Sequence, residues 1–251
     1  MGVQVPAAHI VGLIPARWKS SRFPGKPLHP LAGKPLLQHV HERALACQSL
    51  AEVAVATDDD RIREAAEAWG ARVIMTSPDH PTGTDRLAEA VSHLPEATHV
   101  INLQGDEPLL DPALVDEMAA ALTTDPELAM ITAANPLEDA AEFADPNVVK
   151  VVLDASGHAL YFSRCPIPYA RAEEDRPGLL RHMGLYGYRR DFLARFVAWE
   201  PTPLERSEQL EQLRALENGV RIRVLITNHR ALGLDTPDQA PQLEALLLQS
   251  S

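Results

Sequence analysis

Short apolar segments rich in β-branched residues alternate with segments of helical periodicity through the first half of the chain. This alternation constrains the fold more than any other feature, because it is typical of a parallel sheet covered by helices on both faces. In such sheets, ligands bind beyond the carboxyl ends of the strands. Strands are predicted at residues 9–15, 52–57, 71–75, 98–103 and 128–134, and helices at 36–47, 59–69, 84–94 and 112–122.

The pattern changes after about residue 135. Two apolar segments, 148–153 and 159–162, flank Asp154-Ala155-Ser156-Gly157-His158, which is typical of a hairpin turn. Residues 185–189 are predicted to extend this antiparallel part. Helices are expected at 190–199 and 204–218, a strand at 220–227, and a final helix from about Thr236-Pro237. We therefore predict one domain over 1–251, with a nucleotide-binding core (about 9–134 and 220–250) and a substrate-binding lobe (about 135–219).

Charge excludes one class of partner. The chain has 35 acidic and 23 basic side chains, a formal net charge of -12, so it would repel a nucleic-acid backbone at long range. No apolar run reaches the roughly 18 to 20 residues of a membrane span, and the first residues lack the pattern of a signal peptide. We expect a cytoplasmic protein without membrane insertion.

Cys47 and Cys165 lack metal-site spacing and are interpreted as buried thiols.

The N-terminal part departs from this acidic balance. Residues 1–41 contain no Asp or Glu, yet they contain Arg17, Lys19, Arg22, Lys26 and Lys34. The segment 14–28, which reads IPARWKSSRFPGKPL, directly follows the first predicted strand. Exposed backbone N–H groups, an arginine that can bind two oxygens and a lysine together suit a triphosphate. The loop is not a Walker A motif, because Gly33-Lys34 is followed by Pro35.

Further motifs follow this loop in a fixed order. They are Gly83-Thr84-Asp85-Arg86, Gln104-Gly105-Asp106-Glu107-Pro108, Tyr161-Phe162-Ser163-Arg164, Arg181-His182-x-Gly184-x-Tyr186-x-Tyr188, Leu210-Glu211-Gln212-Leu213-Arg214 and Leu234-Asp235-Thr236-Pro237. Over residues 10–240 the chain thereby resembles the sugar-acid cytidylyltransferases, and within them the branch that uses 3-deoxy-manno-octulosonate (Kdo).

The resemblance implies a three-layer α/β/α sandwich with a mostly parallel, Rossmann-like central sheet and a smaller antiparallel lobe for substrate binding and dimerisation. It implies CMP transfer from CTP to the anomeric hydroxyl of Kdo, with release of diphosphate, for lipopolysaccharide biosynthesis. Magnesium is the expected cofactor and a homodimer the expected assembly. The substrates are small molecules, CTP and Kdo.

The same resemblance assigns residues to roles. Asp106 and Asp235 are the expected magnesium ligands and, with Arg17 and Lys26, the expected catalytic residues; no side chain is assigned as general base. The predicted CTP site contains Pro15, Ala16, Arg17, Lys26, Thr76, Gly83, Gln104 and Asp106. The predicted sugar site contains Arg86, Gln104, Arg164, His182, Tyr186, Glu211 and Gln212.

Other functions use similar residues. Asp58-Asp59-Asp60 contains the Asp-x-Asp pattern of metal-dependent glycosyltransferases, although a helix cap explains it more simply. A nucleotide sensor without catalysis is a third hypothesis. Within the main hypothesis, side chains do not distinguish Kdo from 8-amino-Kdo or sialic acid, and backbone groups could read the base.

Overall fold

The computed structural model describes residues 8–19, 23–137, 139–172, 178–230 and 232–249. Ser21 and Arg22 of the loop 14–28, and residues 173–177, lie outside the described residues. The strands are β1 (Ile10–Ala16), β2 (Pro30–Leu31), β3 (Lys34–Pro35), β4 (Glu52–Thr57), β5 (Arg72–Met75), β6 (His99–Asn102), β7 (Met130–Pro136), β8 (Lys150–Leu153), β9 (Ala159–Ser163), β10 (Leu180–Arg189) and β11 (Ile222–Ile226). The helices are α1 (Leu36–Leu45), α2 (Asp60–Ala68), α3 (Gly83–Ser92), α4 (Pro112–Thr124), α5 (Ala140–Ala144), α6 (Arg190–Val197), α7 (Pro203–Glu208), α8 (Gln212–Glu217) and α9 (Ala240–Gln249).

The main path of the central sheet has the strand order β11-β7-β10-β6-β1-β4-β5. Strands β6, β1, β4 and β5 are parallel, and β11 is parallel to β7. Strand β10 is antiparallel to both of its neighbours, β6 and β7. The mostly parallel sheet predicted from the sequence is therefore confirmed, with one reversed strand near its centre.

Alternating side chains of β1 divide the core into two layers. Ile10 and Ile14 pack with residues of α1, α2 and α4 on one face, whereas Val11 and Leu13 pack with residues of α3, α6 and α8 on the other. This alternation follows from the period of two in a strand, and both faces are buried because helices cover each of them. The three-layer α/β/α arrangement is confirmed.

The segment 135–219 contributes to the same sheet. Strands β8 and β9 form the predicted hairpin, and β8 joins β10 through the pairing of Lys150 with Arg181. The antiparallel part is thus continuous with the central sheet through β10. The division into a nucleotide-binding core and a sugar-binding, dimerising lobe remains a prediction about function.

The single helix predicted over 204–218 is wrong, because two helices, α7 and α8, occupy this segment. Gln209 has φ 54° and ends α7 in the left-handed conformation. The guanidinium of Arg164 donates to the carbonyl oxygens of Glu208 and Gln209, which a continuous helix would use for its own bonds. The hydrogen bonds from Arg164 therefore replace the helical hydrogen bonds that these two carbonyl groups would otherwise accept.

Two smaller expectations can also be compared with the structure. Cys47 is buried as predicted, but Cys165 is exposed, because it lies just beyond the end of β9. Among the described helices, none has the length and apolar character needed to cross a membrane.

Candidate active site

A cleft of about 660 Å³ opens at the carboxyl ends of β1 and β6. We call it the first cleft. Its lining residues are Pro15, Ala16, Arg17, Lys19, Lys26, Pro27, Gly83, Gln104, Gly105 and Asp106. All residues predicted to bind CTP line it except Thr76. The topology explains the convergence, since β1 and β6 are parallel neighbours whose ends meet at one edge of the sheet.

The loop after β6 approaches the end of β1 closely at Gly105. A Cβ atom added there would lie 2.9 Å from the carbonyl oxygen of Pro15, which no side chain tolerates without movement. Glycine is therefore required for this approach. The contact places Gln104 and Asp106 next to the segment that contains Arg17.

Lys26 lies between the two predicted metal ligands. Its Nζ is 2.5 Å from Asp106 Oδ2 and 4.0 Å from Asp235 Oδ1, although the two carboxylates are far apart in the sequence. The backbone N–H of Leu234 donates to the carbonyl oxygen of Asp106 over 2.9 Å and joins their two loops. Leu234 is itself fully buried, so the position of Asp235 is fixed by packing as well.

The donor set around Lys26 fits magnesium. Both carboxylates are accessible to solvent, with side-chain exposures of 31% for Asp106 and 55% for Asp235. No group of three or more His, Cys, Asp or Glu residues that could hold a metal occurs in the described part of the chain. Magnesium commonly takes one or two protein carboxylates and completes its octahedron with phosphate and water oxygens. These two aspartates are suited to such a shared site.

Negative charge is concentrated near this pair. Burial, and then the nearby charge of Asp106, raise the pKa of Glu107 to about 8. The next residue along the loop thus has a carboxyl group that favours its neutral form. The positive charge of Arg181 acts in the opposite direction and lowers the pKa of Glu107.

Arg17 has an unsatisfied donor in the first cleft. One terminal nitrogen, Nη1, donates to the carbonyl oxygen of Pro81 over 3.4 Å, while Nη2 is buried and has no hydrogen-bond partner. The next residue, Trp18, is covered by the guanidinium of Arg61, 3.6 Å from the ring centroid. A bound phosphate oxygen would satisfy the free donor of Arg17.

Thr76 and Arg86 lie below the surface of the cleft. Arg86 is fully buried, and its guanidinium donates to the hydroxyl of Thr76 and forms an ion pair with Asp58 at 3.0 Å. The Thr76 hydroxyl donates in turn to the carbonyl oxygen of Thr57. The structure therefore places both residues in a buried network at the ends of β4 and β5, and their roles in substrate binding remain predictions.

A second cleft of about 310 Å³ lies beside the first. Its lining residues are Glu107, Asn147, Val148, Val149, Arg181, His182, Met183 and Gly184. Gln104, which lines the first cleft, donates its Nε2 to the carbonyl oxygen of Gly184 over 2.5 Å. The two clefts are therefore adjacent and share a wall formed by the segment 104–107.

Three predicted sugar-site residues, His182, Tyr186 and Glu211, form a row from β10 to the start of α8. The rings of His182 and Tyr186 are 5.4 Å apart, and the negative charge of Glu211 acts on the Tyr186 phenol. Burial lowers the pKa of His182 to about 3, so this ring is neutral near pH 7. Burial raises the pKa of Glu211, whose carboxylate accepts a short hydrogen bond from Thr84 at the start of α3. Such polar groups suit the hydroxyls of a sugar.

The other two predicted sugar-site residues differ from each other. Gln212 is buried, and its Nε2 has no hydrogen-bond partner, so it has an unused donor. The three side-chain nitrogens of Arg164 each donate one hydrogen bond, to the carbonyl oxygens of Pro146, Glu208 and Gln209. Two of the five N–H groups of its guanidinium remain available.

Sequence reasoning did not assign roles to three polar or charged residues that line the second cleft: Glu107, Asn147 and Arg181. Glu107 and Arg181 belong to motifs that were recognised, but each stands beside a more conspicuous residue, Asp106 or His182. Asn147 lies in a connection without a motif. Arg181 and His182 are consecutive residues of β10, for which strand alternation predicts opposite faces, yet both line the second cleft.

Comparison with known proteins agrees with the geometry. The family profile described as Cytidylyltransferase matches residues 11–222. A 3-deoxy-manno-octulosonate cytidylyltransferase of Geobacter sulfurreducens is 52% identical over 240 residues, covering 92% of this chain and 96% of that protein. The protein of the same name from Solibacter usitatus is 50% identical over 241 residues, covering 96% of this chain and 95% of that protein.

Solved structures extend the comparison to the fold. CMP:2-keto-3-deoxy-manno-octonic acid synthetase in complex with CTP superposes with a TM-score of 0.93 at 45% identity. The match covers 97% of this chain and 100% of that chain. The 4-diphosphocytidyl-2C-methyl-D-erythritol synthase of Anaerococcus prevotii has a TM-score of 0.66 at 13% identity and covers 96% of both chains. The similarity to the Anaerococcus prevotii protein concerns the fold alone.

Proposed function

The chain belongs to the cytidylyltransferase family, and from this premise we propose that it transfers CMP from CTP to the anomeric hydroxyl of Kdo, giving CMP-Kdo and diphosphate. Relatives named for this reaction are about half identical over more than nine tenths of the chain. The observation that carries the proposal within the structure is the convergence of Asp106 and Asp235 on Lys26, a residue that lines the first cleft. CMP-Kdo formation assigns the protein to lipopolysaccharide biosynthesis.

The first cleft binds the nucleotide. Arg17 and Lys26 hold the phosphates, and the Pro15-Ala16 backbone and Gly83 surround the nucleoside. During the reaction, the anomeric oxygen forms a new bond to the α-phosphorus, the bond from that phosphorus to the diphosphate oxygen breaks, and the hydroxyl proton passes to water or to the released diphosphate. Positioning and charge neutralisation supply most of the rate in such a transfer.

Asp106 and Asp235 hold the magnesium ion of this proposal. When bound, the ion lowers the pKa of the attacking hydroxyl and neutralises phosphate charge. Lys26 contacts Asp106 and lies near Asp235, so its charge stabilises both carboxylates. The same residue lines the first cleft, where the phosphates of this proposal bind.

The second cleft and the row beside it bind the acceptor. Gln104 separates the clefts, and His182, Tyr186, Glu211 and Gln212 offer neutral or hydrogen-bonding groups for sugar hydroxyls. A homodimer and a cytoplasmic location belong to the same proposal; the family resemblance supports both.

A metal-dependent glycosyltransferase is the contrasting activity. Its expected Asp-x-Asp motif has other partners here: Asp59 caps α2 and Asp58 pairs with Arg86. Asp60, the third residue, pairs with Arg63 on the surface of α2. These contacts explain the three aspartates through structure, and the glycosyltransferase hypothesis gives no role to the basic loop.

Diphosphate release provides the test. The full chain, with magnesium, is assayed with CTP, UTP or ATP, each combined with Kdo, 8-amino-Kdo or sialic acid. We expect turnover with CTP and Kdo. Preferred turnover of 8-amino-Kdo or sialic acid would reassign the acceptor, and saturable CTP binding without turnover on any sugar acid would support a sensor.

A further inference from the structure

Lys150, the first residue of β8, is a fully buried cation that has no role in the function described so far. We propose that Lys150 is a positioning residue, whose ammonium holds the segment 145–149 and thereby fixes one wall of the second cleft. This inference rests on the proposed function, in which the second cleft binds the acceptor. It concerns the acceptor alone and leaves the nucleotide site unchanged.

Lysine is rare in this chain. Four of the 23 basic residues are lysines, and the other three, Lys19, Lys26 and Lys34, lie in the N-terminal part. Elsewhere the chain carries its basic side chains as arginine. An ammonium is a compact charge with three donors, whereas a guanidinium is a planar group with five, so they suit different sets of acceptors. The lysine at position 150 therefore suits acceptors that surround one point.

The structure shows three such acceptors around the ammonium. Lys150 Nζ donates to the carbonyl oxygens of Asp145 over 2.9 Å, of Val148 over 2.7 Å and of Arg164 over 2.6 Å. These bonds use all three donors of the group. The side chain is 0% exposed, and burial lowers the pKa of Lys150. The three carbonyl groups therefore replace water around a buried charge.

The three carbonyl groups belong to different parts of the chain. Asp145 directly follows α5, Val148 lies two residues before β8, and Arg164 directly follows β9. The guanidinium of Arg164 holds the first of these connections as well, because it donates to the carbonyl oxygen of Pro146 over 3.0 Å. Two cations thus fix the backbone between α5 and β8, and Lys150 alone joins it to the end of β9 through its ammonium.

The segment held in this way forms one wall of the second cleft. Asn147, Val148 and Val149 line the cleft, and the carbonyl oxygen of Val149 accepts a hydrogen bond over 2.8 Å from the backbone N–H of His182, which also lines it. Without the ammonium, three buried carbonyl groups would lack this partner, and the segment would have to move to find others. None of the described residues that line the first cleft belongs to this segment.

The test separates a positioning role from a contribution to folding. Diphosphate release by the full chain with magnesium is measured for the parent, K150M and V151A, with either Kdo or CTP as the varied substrate. Methionine is similar in length to lysine but donates no hydrogen bonds. V151A is the matched control, because Val151 is the next residue of β8 and is buried in the apolar core. Its truncation lowers stability without removing the ammonium.

The two substrates should respond differently. For K150M we expect the KM for Kdo to rise about 10- to 100-fold, the effect of misplacing a substrate-positioning group, with an unchanged KM for CTP. V151A should lower the urea midpoint of unfolding and leave both KM values unchanged. K150Q retains two N–H donors, so it should show a smaller loss that is again confined to Kdo, and it tests the proposal should K150M fail to fold.

A measurement on the parent tests the contacts without any substitution. With ¹⁵N-labelled lysine, the spectrum contains the signals of four side-chain ammonium groups. We expect the slowest of them, that of Lys150, to exchange its protons with water at least about 10-fold more slowly than Lys34, because exchange requires local opening. The Lys34 side chain is 46% exposed. Four ammonium groups that exchange at equal rates would overturn the proposal.

The remaining results have distinct meanings. A parent protein that releases no diphosphate from CTP with Kdo contradicts the proposed function, and the exchange measurement then still tests the contacts of Lys150. An active parent together with K150M or K150Q variants that match V151A in their KM for Kdo, or whose KM for CTP rises equally, overturns the assignment of Lys150.

Discussion

The backbone N–H of Leu234 donates to the carbonyl oxygen of Asp106 over 2.9 Å, and this bond joins two loops from distant parts of the chain. Its consequence is chemical, because each loop supplies one carboxylate to the surroundings of Lys26. A main-chain contact between a buried leucine and a loop carbonyl thus assembles the proposed metal site. The predictions below test this site and its neighbours.

Replacing either carboxylate should reduce turnover. D106N and D235N keep the size of the side chain but remove the charge that holds the cation. We expect kcat to fall at least about 10²-fold, as for the loss of one preorganised electrostatic group. D111N is the matched control, since asparagine also caps a helix and Asp111 caps α4. Activity of D106N or D235N within a few-fold of the parent at saturating magnesium would contradict the assignment.

Removal of divalent cations should abolish turnover. Among the described residues, two carboxylates are proposed as ligands, so the cation depends on phosphate and water oxygens as well and should exchange readily. Chelation should stop diphosphate release, and added magnesium should restore it without refolding. The far-UV circular dichroism spectrum should remain constant throughout, and undiminished turnover in the chelator would exclude the cofactor.

Arg17 should serve the nucleotide more than the sugar. Its buried Nη2 has no partner in the described structure, and a phosphate would provide one. R17A should raise the KM for CTP about 10- to 100-fold and leave the KM for Kdo nearly constant. R63A, on the surface of α2, is the control. A larger effect on the KM for Kdo would mean that the two clefts have been exchanged.

Gly105 should tolerate no side chain. In G105A the new methyl group would lie 2.9 Å from the carbonyl oxygen of Pro15, so the loop after β6 must move away from β1. The free energy of unfolding should fall by about 1–3 kcal/mol, and CTP should bind more weakly. G178A is the control, because no heavy atom lies within 4 Å of the added Cβ. Chemical denaturation and CTP titration measure both effects, and identical curves for the two variants would refute the close approach.

His182 should contribute to stability in a pH-dependent manner. Burial lowers its pKa to about 3 from the model-peptide value of 6.5. Because the unfolded chain binds the proton more tightly, the contribution is complete above pH 6.5 and is lost as the pH falls toward 3. The stability advantage of the parent over H182Q should shrink by up to about 2 kcal/mol between pH 7 and pH 5. Urea denaturation across this range measures it, with H93Q, at an exposed histidine, as control; a constant difference would contradict the prediction.

The sequence by itself determined the strands and helices that position the first cleft. Apolar periodicity located β1, β6 and the helices that follow them, because local side-chain patterns reflect which face of each element is buried. The ends of these strands then located the Arg17 loop and Asp106, since parallel strands end at one edge. The observed first cleft contains all but Thr76 of the predicted nucleotide site.

Only the tertiary structure decided the arrangement around the acceptor. The position of β10 between β6 and β7, the break at Gln209 and the burial of Arg86 depend on contacts between residues far apart in sequence. Arg86 is engaged within a buried network, whereas Arg181, which donates to Asn135, lines the second cleft. A residue's type fixes which bonds it can form, but the folded surroundings decide which of those bonds are already taken.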